Sequence, residues 1–247
     1  MKTVYIRFYE ELNDFLPPDK RKLRLPHSFQ GRVSVKDLLE SFGIPHTEID
    51  LILINDKSVG FNYIVNDKDD ISVYPVFESF NITEVQHLRP QPLREPKFIL
   101  DVQLGSLAKY LRMIGFDAAF KNSSSKNEII MISINEKRTI LTKDLNLLKR
   151  NDVTHGYWIR NKEVIDQVKE VTRRFQLNSL IQPFSRCMIC NTLLAKIEKK
   201  KIMERLLERT KNMVDEFETC PSCSRIYWKG SHYQKMEGII DKIREFK

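Results

Sequence analysis

Four cysteines in two closely spaced pairs are the residues of this chain best suited to chemistry. Cys187 pairs with Cys190 and Cys220 pairs with Cys223, and together they are all the cysteines of the 247 residues. Two thiolates separated by two residues can reach one metal ion, and two such pairs complete a tetrahedral shell of four sulfur ligands. Because this shell leaves no position for water or substrate, the spacing predicts a structural zinc site in a zinc ribbon. Two disulfides or a redox dithiol are the alternatives.

Two aspartates directly follow apolar segments that we predict to be strands. Asp101 follows residues 98–100, and Asp144 comes shortly after residues 139–142. The carboxyl ends of parallel strands border the crevice in which open α/β sheets bind ligands. Carboxylates that meet there suit Mg²⁺ or Mn²⁺, which can generate hydroxide for attack on a phosphodiester. Each aspartate also precedes a helical segment, so capping of that helix is an alternative role that is compatible with the first.

The elements that must position these residues fall into three modules, of which the first covers residues 1–80. Its predicted elements are a strand with Val4, Ile6 and Phe8 on one face, a strand at 22–25, a helix from its N-cap Ser34 to Gly43, and strands at 51–54 and 71–76. This order indicates a ubiquitin-like β-grasp domain. The module runs on past Phe80 without a Gly-Gly tail, which argues against sulfur-carrier chemistry and favours docking or regulation.

The remaining chain reads as a linker and two further modules. Residues 81–96 hold three prolines among charged residues, as is typical of an extended linker. Residues 97–182 alternate strands with helices, which predicts an α/β fold with a parallel sheet covered by helices. Residues 183–247 hold the zinc ribbon and a C-terminal tail, with a basic, helix-prone insertion at 195–210 between the cysteine pairs.

Charge is distributed unevenly along the chain. Residues 1–80 carry a net charge of −3, whereas residues 81–247 carry +11. This basic balance favours a polyanionic partner, most often nucleic acid, although a basic protein without such a partner is the alternative. No apolar segment is long enough to span a membrane, and the start of the chain does not read as a signal peptide. Thiols kept for metal then predict a cytoplasmic protein that does not associate with membranes.

The motifs in these modules resemble a known family. Residues 98–117, 139–148, 186–191 and 220–232 are similar, in order and spacing, to the Mut7-C ribonuclease domain and its zinc ribbon. Residues 50–56 and 73–77 resemble the ubiquitin-like domain that is often fused ahead of it. The resemblance implies a PIN-like fold, in which clustered acids bind a divalent metal for cleavage of RNA.

The resemblance also assigns acids to the site. It implies that Asp101 is the first acid and Asp144 the one at the end of the second strand, while Asp117 matches the aspartate of a Gly-Phe-Asp turn and could instead cap that turn. Relatives carry an acidic stretch where this chain has residues 120–127, which contain lysine and serine but no acid. Glu128 is therefore the candidate for the remaining acid, with an ordinary exposed helix charge as its alternative role.

Three basic residues are candidates for contact with RNA. Lys109 and Arg112 lie on the helix after Asp101, and Lys143 lies beside Asp144. Each could bind phosphate, and the alternative for the lysines is a solvated surface position. The sequence thus predicts a metal-dependent ribonuclease with structural zinc, catalytic Mg²⁺ or Mn²⁺ and RNA as substrate. The alternative function is a weakly active or inactive RNA-binding adaptor, and in either case the β-grasp domain could bind a protein partner.

Overall fold

The computed structural model describes residues 1–75, 88 and 95–244, except for the side chain of Ser231. The described residues fall into two compact units, one within Met1–Arg94 and Lys126–Trp158 and the other within Glu95–Ser125 and Ile159–Lys247. The predicted domain boundaries at 1–80, 97–182 and 183–247 stay a prediction. The predicted linker at 81–96 lies mostly outside the described residues.

Strands and α-helices alternate along most of the described chain. The strands are β1 (Lys2–Phe8), β2 (Arg24–Phe29), β3 (Ile49–Ile54), β4 (Lys57–Ser58), β5 (Asp70–Pro75), β6 (Lys97–Leu100), β7 (Asp117–Ala119), β8 (Thr139–Thr142), β9 (Gly156–Trp158), β10 (Ala195–Ile197), β11 (Phe217–Thr219) and β12 (Ile226–Tyr227). The helices are α1 (Val35–Ser41), α2 (Gly105–Met113), α3 (Lys126–Glu136), α4 (Leu145–Leu148), α5 (Val164–Arg174), α6 (Glu208–Met213) and α7 (Ser231–Arg244).

The first five strands form one sheet in the order β2-β1-β5-β3-β4. β1 and β5 pair in parallel, and the other neighbours pair antiparallel, which is the β-grasp arrangement expected from the sequence. The alternating residues Val4, Ile6 and Phe8 are buried in its core. Ser34 caps α1 by accepting a 3.1 Å hydrogen bond from the Asp37 amide.

The second strand lies later in the chain than the sequence predicts. Residues 22–25 were expected to form it, whereas β2 covers Arg24–Phe29. Lys22 has a positive φ of 59° and donates its amide to Asn13 Oδ1 at 2.6 Å. The amide that would begin the ladder is therefore used by a turn, and strand pairing with β1 starts only at Arg24.

The first unit also contains residues 126–158, in which β8 and β9 pair in parallel. This segment contacts the β-grasp domain. The Trp158 amide donates to Glu48 Oε1 at 2.7 Å, and His46 Nε2 lies 2.9 Å from the Val153 carbonyl oxygen. The rings of Phe15 and Trp158 are 5.0 Å apart. The domain is therefore packed against part of the α/β region.

In the second unit, β6 pairs in parallel with β7, a strand that the sequence analysis missed. Helix α2 contacts α5 and β7. The helix ends at Met113, and Gly115, two residues later, has φ +101°. A Cβ at Gly115 would lie 2.4 Å from the Gln182 carbonyl oxygen. Only glycine combines this backbone conformation with so close an approach, so Gly115 fixes the turn from α2 into β7.

The ribbon is a small antiparallel sheet in the order β10-β11-β12. The prediction of a helix at 195–210 is wrong for most of that stretch, which forms β10, two 3₁₀ turns and only the beginning of α6. Ile202 and Leu206 pack with Phe217 in a separate small core, and pairing with β11 occupies the backbone of β10. Tertiary packing thus outweighs the helix propensity of this lysine-rich segment.

The predicted fold class is confirmed: the chain is mixed α/β, with parallel strands flanked by helices, an N-terminal β-grasp domain and four close cysteines near its end. Helix α7, which the sequence pattern did not predict, contacts α5. Within the described residues, no helix has both the length and the apolar character needed to cross a membrane.

Candidate metal centre and candidate acidic site

The first cysteine pair lies in a tight loop closed by two backbone hydrogen bonds. The Asn191 amide donates to the Cys187 carbonyl at 2.9 Å, and the Cys187 amide donates to the Thr192 carbonyl at 2.8 Å. Asn191, directly after Cys190, has a φ of 70°. Asparagine tolerates this left-handed conformation better than most residues, so the sequence suits the turn.

The second cysteine pair repeats this backbone arrangement. The Ser224 amide donates to the Cys220 carbonyl at 2.8 Å, and the Cys220 amide donates to the Arg225 carbonyl at 2.9 Å. Ser224, directly after Cys223, has a φ of 55°. We call the two loops, Cys187–Thr192 and Cys220–Arg225, the first and second knuckles.

The knuckles bring the four sulfur atoms together. All four lie within 4.8 Å of one another, with 3.6 Å between Cys187 and Cys223 and 3.2 Å between Cys190 and Cys220. A disulfide needs about 2.05 Å, so these are free thiols and the disulfide alternative does not fit. Sulfur atoms about 2.3 Å from a shared ion, at tetrahedral angles, lie roughly 3.8 Å apart. The four cysteines could therefore hold a metal ion such as zinc.

The thiols influence one another's ionisation. Burial opposes the thiolate of Cys190, but hydrogen bonding with the side chain and backbone of Thr192, and with the thiols of Cys220 and Cys187, outweighs it and lowers the pKa to about 6. At Cys223 a backbone hydrogen bond from Arg225 favours the thiolate, but burial and the neighbouring thiols raise the pKa to about 12. Four thiolates this close would need a compensating positive charge, which a bound cation would supply.

Tyr227 contacts one of the four sulfur atoms from outside the cluster. Its hydroxyl oxygen lies 3.0 Å from Cys187 Sγ. Burial and this contact raise the pKa of Tyr227, so the neutral hydroxyl can donate to the sulfur. A partner of this kind orients a ligand without binding the metal.

Arg112 joins helix α2 to the first knuckle. Its side chain is only 4% exposed, and its guanidinium donates to the carbonyls of Ala118 at 2.8 Å, Ile189 at 2.6 Å and Met188 at 3.3 Å. Two of these carbonyls belong to the residues between the paired cysteines. The guanidinium is thus held inside the protein by backbone groups.

Asp117 also contacts the first knuckle. Its carboxylate accepts a 2.7 Å hydrogen bond from Asn191 Nδ2 and lies 3.8 Å from the Arg186 guanidinium. The Ala118 amide donates to Asn191 Oδ1 at 3.1 Å, so the Asn191 side chain pairs with both groups at the start of β7. These contacts tie the Asp117 carboxylate to the first knuckle. Both the capping of its own turn and contact with a catalytic metal stay predictions.

Asp101 follows β6 directly and is only 8% exposed. It stands at the N-cap of the 3₁₀ turn Val102–Leu104, where its carbonyl accepts from the Leu104 amide at 2.9 Å. The side chain makes no capping hydrogen bond to this turn. The capping alternative therefore does not account for its carboxylate.

Asp144 caps α4, as the alternative interpretation expected. Its Oδ1 accepts a 2.9 Å hydrogen bond from the Asn146 amide, and Oδ2 forms an ion pair with Lys126. Burial disfavours the charged carboxylate, but the Lys126 and Asn146 hydrogen bonds outweigh it and lower the pKa of Asp144. The carboxylate is ionised at neutral pH.

The other candidates occupy less enclosed positions. Glu128 is exposed in the first turn of α3, Lys143 is half-buried between β8 and α4, and Lys109 is exposed on α2. Asp101 and Asp117 belong to the second unit, whereas Asp144 and Glu128 belong to the first. The meeting of these acids at one metal stays a prediction.

Sequence reasoning missed several residues that hold these groups. Lys126 pairs with Asp144, while Asn191 and Arg186 contact Asp117. A signal existed for Asn191, because a residue that tolerates positive φ directly after a cysteine pair is what a knuckle requires. Tyr227 also contacts the cluster, through its hydroxyl and the sulfur of Cys187.

An α/β region with a four-cysteine ribbon and an N-terminal β-grasp domain defines a class of protein. Comparison with protein families identifies it: the Mut7-C RNAse domain model matches residues 96–240, and the Mut7-C ubiquitin model matches residues 1–81. The first match covers more than half of the chain, which therefore belongs to the Mut7-C RNAse domain family. No curated protein and no solved structure matches. Family membership supports a nuclease-type function.

Proposed function

We propose that this protein is a ribonuclease that hydrolyses RNA phosphodiester bonds with the help of Mg²⁺ or Mn²⁺. The observation that carries the proposal is the buried carboxylate of Asp101 at the carboxyl end of β6, within the region that matches the RNAse domain. Ligands bind at this end of the strands in open α/β sheets.

In this proposal Asp101 and Asp144 are the principal metal ligands. Oxygen ligands of this kind suit Mg²⁺ or Mn²⁺, which would supply an activated water for attack on phosphorus. The ionised carboxylate of Asp144 is compatible with this role, because a carboxylate that binds a cation must carry its charge. Asp117 and Glu128 are secondary candidates, since Asp117 is engaged by Asn191 and Glu128 is exposed.

The basic candidates take different roles. Lys109 and Lys143 are proposed to bind phosphate groups of the RNA. We infer that Arg112 supports RNA binding indirectly and does not contact the phosphates itself. Its hydrogen bonds to three backbone carbonyls hold α2 and the first knuckle in position. The knuckles are proposed to bind one zinc ion for structure, and the β-grasp domain to bind a protein partner in the cytoplasm.

The test is cleavage of labelled single-stranded RNA with Mn²⁺ or Mg²⁺. Asp101→Asn keeps the size of the side chain but removes its charge, and we expect it to reduce the rate by roughly 100-fold or more. The matched control is Asp152→Asn, because Asp152 is an exposed acid paired with Arg150 and has no proposed catalytic role. Equal cleavage by the wild type and Asp101→Asn would identify a contaminating nuclease and contradict the proposal.

A second candidate function is an RNA-binding adaptor without significant catalysis. It is favoured by residues 121–127, which contain two lysines and three serines but no acid. Binding of RNA with equal affinity by wild type and Asp101→Asn, together with no cleavage by either, would select the adaptor.

A further inference from the structure

A cavity of about 430 Å³ opens in the second unit beside the two knuckles. Its lining includes Lys109, Ile189, Arg205, Arg225, Tyr227 and Trp228. These residues come from α2, both knuckles, the insertion between them and β12 with the residue after it. A volume of this size lies within the range of small-ligand sites in proteins, which is about 300–1,000 Å³.

Cations dominate the polar lining of this cavity. Lys109, Arg205 and Arg225 are exposed, and among the described lining residues there is no carboxylate. Arg205 Nη2 donates to the Ser224 carbonyl at 2.5 Å, so the second knuckle orients this guanidinium. Positive charge without an acid in the lining favours an anionic ligand, and guanidinium groups suit phosphate in particular.

The apolar lining contains an aromatic surface open to solvent. Trp228 is 42% exposed and Ile189 is 49% exposed. Trp228 packs on Phe217, with ring centroids 6.2 Å apart, and a Cβ at Gly230 would lie 2.9 Å from the indole nitrogen. The indole is therefore supported by Phe217 and lies against the backbone at Gly230. A supported, half-open indole can stack on a nucleobase without first being ordered.

We propose that this cavity binds a nucleotide of single-stranded RNA, with the base stacked on Trp228 and the phosphates bound by Arg205, Arg225 and Lys109. The inference rests on the proposed function, because it places part of the RNA on the ribbon beside the nuclease region. Charge alone would suit an acidic peptide equally well. The combination of an open indole with guanidinium groups favours a nucleotide, which offers both a flat base and a phosphate.

The chain itself offers a fluorescent probe for this test. It contains two tryptophans, Trp158 and Trp228, so the variant Trp158→Phe reports on Trp228 alone. We expect a ten-nucleotide oligouridylate, added without Mn²⁺ or Mg²⁺, to quench this fluorescence saturably and to bind more weakly as salt increases. The experiment uses the full chain with its metal content checked.

Substitutions then separate the roles within the cavity. Binding of end-labelled oligouridylate, followed by anisotropy, should weaken on the order of tenfold in Trp228→Ala and little in Trp228→Phe. Arg225→Gln and Arg205→Gln should each weaken binding several-fold and reduce its salt dependence. Lys235→Gln is the matched control, because it removes one positive charge from an exposed position of α7 outside the cavity. Arg205→Gln also removes a hydrogen bond to the second knuckle and could loosen it. Arg225→Gln therefore provides the independent test of the charge.

The outcomes distinguish this inference from the proposed function. Quenching by RNA, together with no cleavage of RNA by the wild type, would support the nucleotide site in the cavity and contradict the proposed nuclease activity. Two results would overturn the proposed nucleotide site without contradicting the nuclease. One is cleavage of RNA by Trp158→Phe without quenching, and the other is unchanged RNA binding in Arg225→Gln and Trp228→Ala. Quenching by polyglutamate as strong as that by oligouridylate assigns the cavity to an acidic protein and also overturns the inference.

Discussion

The β-grasp domain and the four-cysteine ribbon each contact part of the α/β region, but they do so by different chemistry. In the β-grasp contact, His46 and Glu48 meet the backbone of Val153 and Trp158. In the knuckle contact, the Arg112 guanidinium and the Asn191 side chain meet backbone and carboxylate groups between α2 and β7. The first uses side chains that change charge with pH, whereas the second uses a permanently charged guanidinium and loops shaped around four thiols.

This difference indicates that the two contacts respond to different conditions. Arg112 is charged at every pH that a folded protein tolerates, so its own hydrogen bonds to the knuckle carbonyls do not change with pH as the His46 contact does. The carbonyls that it binds lie between Cys187 and Cys190, so their positions depend on the first knuckle. Removal of metal should therefore loosen the knuckle contact, and acid should loosen the β-grasp contact.

The largest expected effect comes from loss of the metal site. The wild type should contain one zinc per chain, and Cys187→Ser or a chelator should unfold the ribbon, because metal binding supplies much of the folding free energy of small zinc domains. Hydrogen exchange should rise across residues 183–235 and in β7, while β1 in the β-grasp domain stays protected. Elemental analysis with a thiol titration of the unfolded chain checks the premise, since no zinc and no free thiols would mean disulfides.

The next largest effect is expected at Arg112. Arg112→Met keeps the aliphatic part of the side chain but leaves the carbonyls of Ala118 and Ile189 without their donor. Buried carbonyls that lose a charged donor should lower the free energy of unfolding by about 3 kcal/mol, as measured in urea with zinc present. Lys109→Met, on the exposed side of the same helix, should change it by less than about 0.5 kcal/mol. A loss below about 1 kcal/mol in Arg112→Met would contradict the idea that this guanidinium holds the ribbon.

A smaller loss of stability is expected from a change in the first knuckle than from Arg112→Met, and almost none from the matched change in the second knuckle. Asn191→Gly permits the positive φ but removes the amide that pairs with Asp117 and Ala118, so we expect a loss of about 2 kcal/mol. Ser224→Gly makes the same change of backbone freedom in the second knuckle, and we expect it to stay within about 0.5 kcal/mol of the wild type. Equal losses in the two thermal unfolding experiments would show that the conformation of the turns, and not the contact with β7, decides the stability.

The sequence was sufficient to predict what depends on local spacing and periodicity. Alternating Val4, Ile6 and Phe8 gave a β-grasp strand, and the two cysteine pairs gave the cluster of four thiols. The prediction of a helix after Leu194 failed because the isoleucines of this insertion pack in a small core with Phe217, a residue distant in sequence. The contacts of Arg112 and Asp117 with the first knuckle were likewise out of reach, since they join residues more than 70 positions apart.

The smallest expected effect is the pH response of the β-grasp contact. Burial lowers the pKa of His46, and Lys36 adds to this, against the hydrogen bonds to Glu40 and Val153 that favour the charged ring. The unfolded chain, with a pKa of about 6.5, therefore takes up this proton first as the pH falls. Stability that depends on the neutral ring is present above about pH 6.5 and is lost as the pH falls through the lower folded value of the pKa.

The measurement is thermal unfolding at about pH 7.5 and about pH 5.5. The loss of stability between these pH values should be greater in the wild type than in His46→Gln, which carries no titratable group at this position. Equal losses in the two proteins would show that other groups set the response to acid, and the contrast between the two contacts would then depend on metal alone.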